Sequence, residues 1–289
     1  MIDKRKLGLT VLLGLNATLL SAQTTVLYDP YGDGSIPNNS DINTDFATRQ
    51  SGTTTSTYTH NGATSGTLIS NSDGITSSNN MARLRNNEQT GGASNGFLSL
   101  DTDFSVLAGS TYTISFDFFY NQRATESTDQ WVSFALGDTS PQGTPAAAAA
   151  DFGILMRPDG VGGANDNLSR FYRDGAAITA DDFSTTPSYI SSYVTFVVTV
   201  DEAAIGGPLI SVTAGGITTV EDFSVGFDSS SRYIAFGSHL GPNANTPATD
   251  FADLYIDNVT LTVIPEPSVY ASFLGLGALL LIVMRRYRQ

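Results

Sequence analysis

The amino-acid sequence predicts an all-β protein: a single antiparallel two-sheet jelly-roll β-sandwich, with an N-terminal signal helix and a short C-terminal transmembrane helix. Three observations lead there. Between residues 26 and 264, apolar side chains recur at every second position in short runs, the period of a strand with one buried face. Clusters of Gly, Asn, Asp, Ser and Pro separate the runs, and 28 glycines with only 15% charged residues favour short strands and turns over salt-bridged helices. No helical periodicity of useful length precedes Val269. About ten strands with no repeat period fit one sandwich better than two small domains or a propeller.

Taken in order, residues 1–22 read as a secretory signal peptide. Lys4, Arg5 and Lys6 form a basic start, an apolar run follows from Leu7 to Leu20, and Ser21 and Ala22 precede polar Gln23. Leu20 is large for its place before a cut after Ala22, which leaves an uncleaved anchor as the other reading. The sandwich domain, residues 23–263, has its clearest strands at 112–120 and 193–200, with further candidates at 96–100, 130–136, 152–156, 169–173, 209–214, 232–237 and 253–263. Tyr112, Ile114, Phe116, Phe118 and Tyr120 share one face, as do Val194, Phe196, Val198 and Val200, so both strands should be central with one buried side. Residues 40–95 alternate weakly and hold either edge strands or long loops.

The last segment, 264–289, begins with Pro265, Glu266 and Pro267, which can continue neither a ladder nor a helix. Residues 269–284 follow, an uncharged apolar run of 16. As a helix it spans about 24 Å against a hydrocarbon core of about 30 Å, short for a permanent span. Arg285, Arg286 and Arg288 would keep that end cytoplasmic and the acidic body outside. This order of features resembles the PEP-CTERM sorting signal of exported Gram-negative bacterial proteins. The resemblance implies that an exosortase, a membrane-embedded cysteine transpeptidase, recognises Pro265, Glu266 and Pro267, removes the tail and sends the protein to the cell surface or extracellular matrix. Where the family usually has Val directly before the first proline, this chain has Ile264. A plain C-terminal anchor after a Pro-rich linker is the simpler reading.

The net charge of -14 is unevenly spread. All but Asp3 and Glu266 of the 28 acids, and eight of the 14 cations, lie in residues 23–263, giving that body -18 with no lysine. Such a body repels a phosphate backbone, which excludes nucleic acid as its partner. The absence of cysteine removes a disulfide scaffold, a thiol nucleophile and a Cys-ligated zinc site. Catalytic motifs are also missing. The only histidines are His60 and His239, and Ser238 beside His239 on a strand points the other way. The adjacent acids Asp181-Asp182, Asp201-Glu202 and Glu221-Asp222 lie in turn-like contexts and read as solvated caps.

The closing strand, residues 254–263, resembles that of carbohydrate-binding-module and concanavalin A-like sandwiches. Alternation puts Asp257 on the side of Val259, Leu261 and Val263, where a carboxylate needs hydrogen bonds or a cation to offset its desolvation. The resemblance implies a structural calcium held by Asp257 with Asp29 and Asp33; a hydrogen-bonded aspartate is the other reading. For ligands, Trp131 alternates with Ser133 and Ala135, opposite Val132, Phe134 and Leu136, and is either a stacking platform or a core residue. Arg170 and Tyr172 belong either to a polar rim beside it or to a plain hairpin turning at Asp174-Gly175. The expectation is a non-enzymatic, exported cell-surface or matrix protein that binds glycan or serves a structural role. The alternative is a sandwich-fold glycan hydrolase or lyase, which needs two acids roughly 5 to 10 Å apart over a groove.

Overall fold

The computed structural model describes residues 23–32, 34–60, 67–70, 80–87, 94–122, 130–137, 150–156, 169–182, 193–214, 217–222, 232–240, 251–264 and 285–286. Among these residues the strands, numbered in chain order, form two sheets with every pairing antiparallel. The first sheet runs, edge to edge, β14 (Ile217–Asp222), β13 (Leu209–Ala214), β12 (Val194–Asp201), β7 (Thr111–Gln122), β16 (Phe251–Ile264), β5 (Met81–Asn87), β4 (Thr67–Ser70) and β2 (Ser40–Asp41). Its ninth strand, β1 (Thr24–Asp29), also pairs with β16. The second sheet has seven strands: β11 (Ala176–Asp182), β10 (Ser169–Arg173), β9 (Ala150–Met156), β8 (Gln130–Gly137), β15 (Tyr233–Leu240), β6 (Ser94–Leu100) and β3 (Tyr58–His60). Helix α1 (Phe46–Arg49) and a single 3-10 turn (Ser105–Leu107) are the helical elements between the strands described.

The two strongest alternations behave as predicted. Tyr112, Ile114, Phe116 and Phe118 on β7, and Val194, Phe196, Val198 and Val200 on β12, are at most 6% exposed, and Phe196 sits opposite Phe116 in the ladder. They face Phe134, Phe152, Ile154, Phe171, Ile234 and Phe236 of the second sheet, all buried. The Phe116 ring lies 5.2 Å from that of Phe134 and 4.9 Å from that of Phe236, so aromatic packing across the gap joins the sheets. Each such ring contributes on the order of 1.5–3 kcal/mol by leaving water.

Strand β5 departs from expectation. It lies inside the first sheet, between β16 and β4, with Ala82 and Leu84 fully buried. Its run Met81-Ala82-Arg83-Leu84-Arg85 hides the alternation, because arginine occupies the other face. On the outer side of this sheet Met81, Phe119 and Tyr255 are also buried, with Tyr193 packed against them, and Phe119 stacks on Tyr255 at 5.8 Å. These side chains form a second, smaller cluster outside the main core.

Strand β16 contains a bulge that overturns the expected orientation of Asp257. Its ladder with β7 gains one residue between Asp257 and Thr260, and Asn258 sits in the left-handed region at φ 53°. The extra residue shifts the alternation by one. Leu254 and Ile256 face the core before the bulge, Val259 and Leu261 after it, and Asp257 turns to the outer side, half-buried. At the same point β16 changes its other neighbour, pairing with β5 up to Ile256 and with β1 from Val259.

The N-terminal signal (1–22) and the segment containing Pro265, Glu266, Pro267 and Arg288 lie outside the described residues. Arg285 and Arg286 are exposed. Among the described residues no helix is long and apolar enough to cross a membrane.

Candidate functional site

The second sheet turns one face to the core and one outward, and the ladder register fixes the outward positions. Val132, Phe134 and Leu136 belong to the core cluster, so positions 131, 133 and 135 of β8 alternate onto the other face, where Ser133 and Ala135 are buried too. Phe171 is fully buried, so Arg170 and Tyr172 stand on the outer face of β10. Trp131 is paired with His239, and His239 with Asn95. Arg170 is paired with Leu155, which faces Ser133, which faces Gly237. Tyr172 is paired with Gly153, which faces Ala135, which faces Ala235.

Topology therefore sets position 131 of β8 on the same side of the sheet as positions 170 and 172 of β10, about forty residues on in sequence. The side chains of Trp131 and Arg170 lie outside the described residues; that of Tyr172 is half-buried. Between β8 and β10 lies β9, whose Leu155 and Gly153 pair with Ser133 and Ala135; Leu155 is 9% exposed and Ser133 and Ala135 are 1% exposed. The hairpin expected at Asp174-Gly175 is present, both residues having positive φ and Arg173 pairing with Ala176. Asp182, at the end of β11, returns opposite Arg170 on this face.

The bulge in β16 helps form a separate cleft of about 540 Å³, lined by residues that include Tyr28, Pro30, Ser35, Asp45, Thr48, Arg49, Asp257 and Asn258. Asn258 organises one wall. Its Oδ1 accepts from the Tyr28 hydroxyl at 3.0 Å and its Nδ2 donates to Asp117 Oδ2 at 2.8 Å. Asp117 Oδ1 also accepts from Thr195 Oγ1 at 2.5 Å, and Asp257 Oδ1 from the Asn258 amide at 2.8 Å. Partial burial, then the charges of Asp257, Asp117 and Asp29, raise the Tyr28 pKa, so this phenol stays a donor.

Asp29 lies behind the cleft, fully buried. Its Oδ1 accepts from Arg49 Nε at 3.0 Å and the Tyr31 amide at 2.8 Å. Its Oδ2 accepts from Arg49 Nη2 at 3.1 Å, Gln50 Nε2 at 2.7 Å and the Tyr58 hydroxyl at 2.8 Å. Five donors occupy the roughly four lone-pair directions a carboxylate offers, leaving none for a metal. The calcium expected from Asp29, Asp33 and Asp257 does not fit this arrangement. Asp29 is engaged, Asp257 faces outward through the bulge, and Asp33 lies outside the described residues. Among the described residues no three His, Asp or Glu side chains converge to hold an ion.

The acid pairs expected to be solvated caps also differ. The Glu202 side chain is 5% exposed and paired with Arg232 Nε at 2.9 Å, itself 1% exposed. Glu202 also accepts from the Tyr112 hydroxyl at 3.1 Å and the Gly109 amide at 2.8 Å. Burial, then the Glu202 charge, pushes the Tyr112 pKa well up. Asp181-Asp182 and Glu221-Asp222 end strands rather than sit in turns. Ser238 is buried beside Phe236 while His239 takes an outer position, so the two do not pair. Sequence reasoning missed Arg49 and Gln50. The one available signal was that Arg49 is the only Lys or Arg between residues 7 and 82.

No family model matches this chain, and no curated protein matches it in sequence. Solved structures with a similar outline include the carbohydrate recognition domain of Emp47p, at 17% identity and a TM-score of 0.48 over 71% of this chain and 88% of that one. A lectin from Bauhinia forficata in complex with GalNAc has 10% identity and a TM-score of 0.48 over 84% and 98%. An alginate lyase Aly36B variant in complex with an alginate trisaccharide has 11% identity and a TM-score of 0.47 over 85% and 100%. At these values the likeness carries no inference about what this chain does.

Proposed function

We propose that the protein is an exported β-sandwich that binds glycan at the cell surface or in the extracellular matrix without cleaving it. The observation that supports this reading is the ladder register, which sets positions 131, 170 and 172 on the same side of the seven-stranded sheet. Aromatic rings offer an apolar face to a sugar ring, and a guanidinium offers a planar fork of donors to its hydroxyls. The 1–22 signal supports export. The PEP-CTERM-like segment, with Pro265, Glu266, Pro267 and the arginines 285, 286 and 288, supports sorting by an exosortase from a transient membrane anchor. Mature surface protein that still carries residues 268–289 would count against that sorting.

The test of binding is a glycan array probed with the wild-type chain, Trp131→Ala and Tyr172→Ala. Wild-type retention on at least one polysaccharide and a loss of at least about tenfold in each variant are expected. A wild-type chain that retains nothing sinks the proposal. The hydrolase or lyase alternative has one observation on its side, Asp117 and Asp257 directly opposed across β7 and β16. They stand on the other sheet, and Asp117 is bound by Thr195 and Asn258. Glycan cleavage abolished by Asp257→Asn would favour that alternative.

A further inference from the structure

We infer that the Arg49 guanidinium is a built-in cation at this end of the sandwich, filling an oxygen cage of the kind that holds a metal ion and making the fold independent of calcium. The cage comes from two separate segments, Asp29 on β1 and the turn that carries Ile42 and Thr44. Asp29 supplies both carboxylate oxygens at 3.0 and 3.1 Å, Ile42 its carbonyl oxygen at 2.6 Å to Nη2, and Thr44 its carbonyl oxygen to Nη1. Tyr31 closes one side with its ring, 5.5 Å from the guanidinium carbon.

Carboxylate and main-chain carbonyl oxygens are the donor set of a hard divalent ion, which takes six to eight of them at about 2.3–2.6 Å. Here the oxygens are spaced for N–H bonds and meet the planar fork of an arginine. The Arg49 side chain is 4% exposed and that of Asp29 is 0% exposed, so a second cation has neither a path nor a free lone pair. The carboxylate also accepts from Tyr58 of the second sheet, so the pair ties β1 to β3 across the sandwich. A metal would do this only when bound; an arginine on α1 does it by covalent tether. Arg49 lines the cleft as well.

Thermal unfolding of the full chain, with excess EDTA or with millimolar calcium, tests the inference. The two curves are expected to coincide. A structural calcium at a hundredfold saturation would separate them by roughly 5–10 °C, and such a separation overturns the inference. Arg49→Ala is expected to melt roughly 10 °C lower, because it strands a buried carboxylate, and to recover in millimolar methylguanidinium, which leaves the wild type unmoved. An unchanged melting temperature in Arg49→Ala is an overturning result. Where Arg49→Ala does not fold, the double variant Asp29→Asn with Arg49→Met decides. Removing both charges should give a more stable chain than Arg49→Ala, and one no more stable also overturns the inference.

Discussion

Asp29 and Glu202 show what a buried charge requires in a body of -18 with no lysine. Each is matched by one arginine, Arg49 or Arg232, and by a tyrosine hydroxyl that binds the same carboxylate. Neither pairing is visible in the sequence, because the partners are 20 and 30 residues apart and no local pattern joins them. A different residue-scale constraint falls on Gly52, at φ 122°, where a Cβ would come within 2.5 Å of the Val26 carbonyl oxygen. That contact is with backbone, which cannot swing aside, and the φ is itself unfavourable for a side chain. Gly52→Ala should therefore destabilise the protein by roughly 2–4 kcal/mol, read from urea unfolding at constant m-value. An unaltered midpoint would show that this loop rearranges freely.

Elements with strict alternation were legible, and those shaped by partners were not. β7, β8, β10, β12, β13 and β16 lie within a few residues of their predicted positions, since apolar side chains at every second place leave one pairing face for a core. β5 was obscured by its arginines, and β14 by a run of threonine and acid. The β16 bulge was also invisible, since alternation read from sequence assumes no inserted residue. Asn258 carries that bulge in a left-handed conformation, accessible to asparagine and glycine but strained for a β-branched side chain. Asn258→Val should cost roughly 2–3 kcal/mol, from strain together with the lost bonds to Tyr28 and Asp117. Asn258→Gly should cost about 1 kcal/mol, because only the bonds go. Chemical denaturation of the two variants separates backbone from side chain, and equal losses would refute the bulge argument. The neighbours of position 131 were not legible, because they come from pairings among strands distant in sequence.

At the scale of the whole molecule, Tyr31, Tyr58 and Tyr112 stay protonated well above their ordinary range, chiefly through burial. The unfolded chain ionises its tyrosines near pH 10 while the folded chain keeps these three neutral, so the folded state binds more protons above that pH. Their contribution is complete below pH 10 and is lost as pH rises beyond it, at up to about 4 kcal/mol per pH unit for three groups. The melting temperature should fall steeply between roughly pH 10 and 12, with the phenolate absorbance of these residues emerging only on unfolding. Ionisation of every tyrosine before unfolding would contradict the burial described. Fold class was the most legible property at this scale, because composition, turn residues and alternation all point to strands.

The pairing of β1 with β16 sets Thr24 directly across from Val263. Cα atoms in such a pair are about 4.5–5.5 Å apart, so the chain enters and leaves the sandwich through the same doorway. Anything fastened to either terminus therefore suspends the body from one corner, like a pendant on a single link.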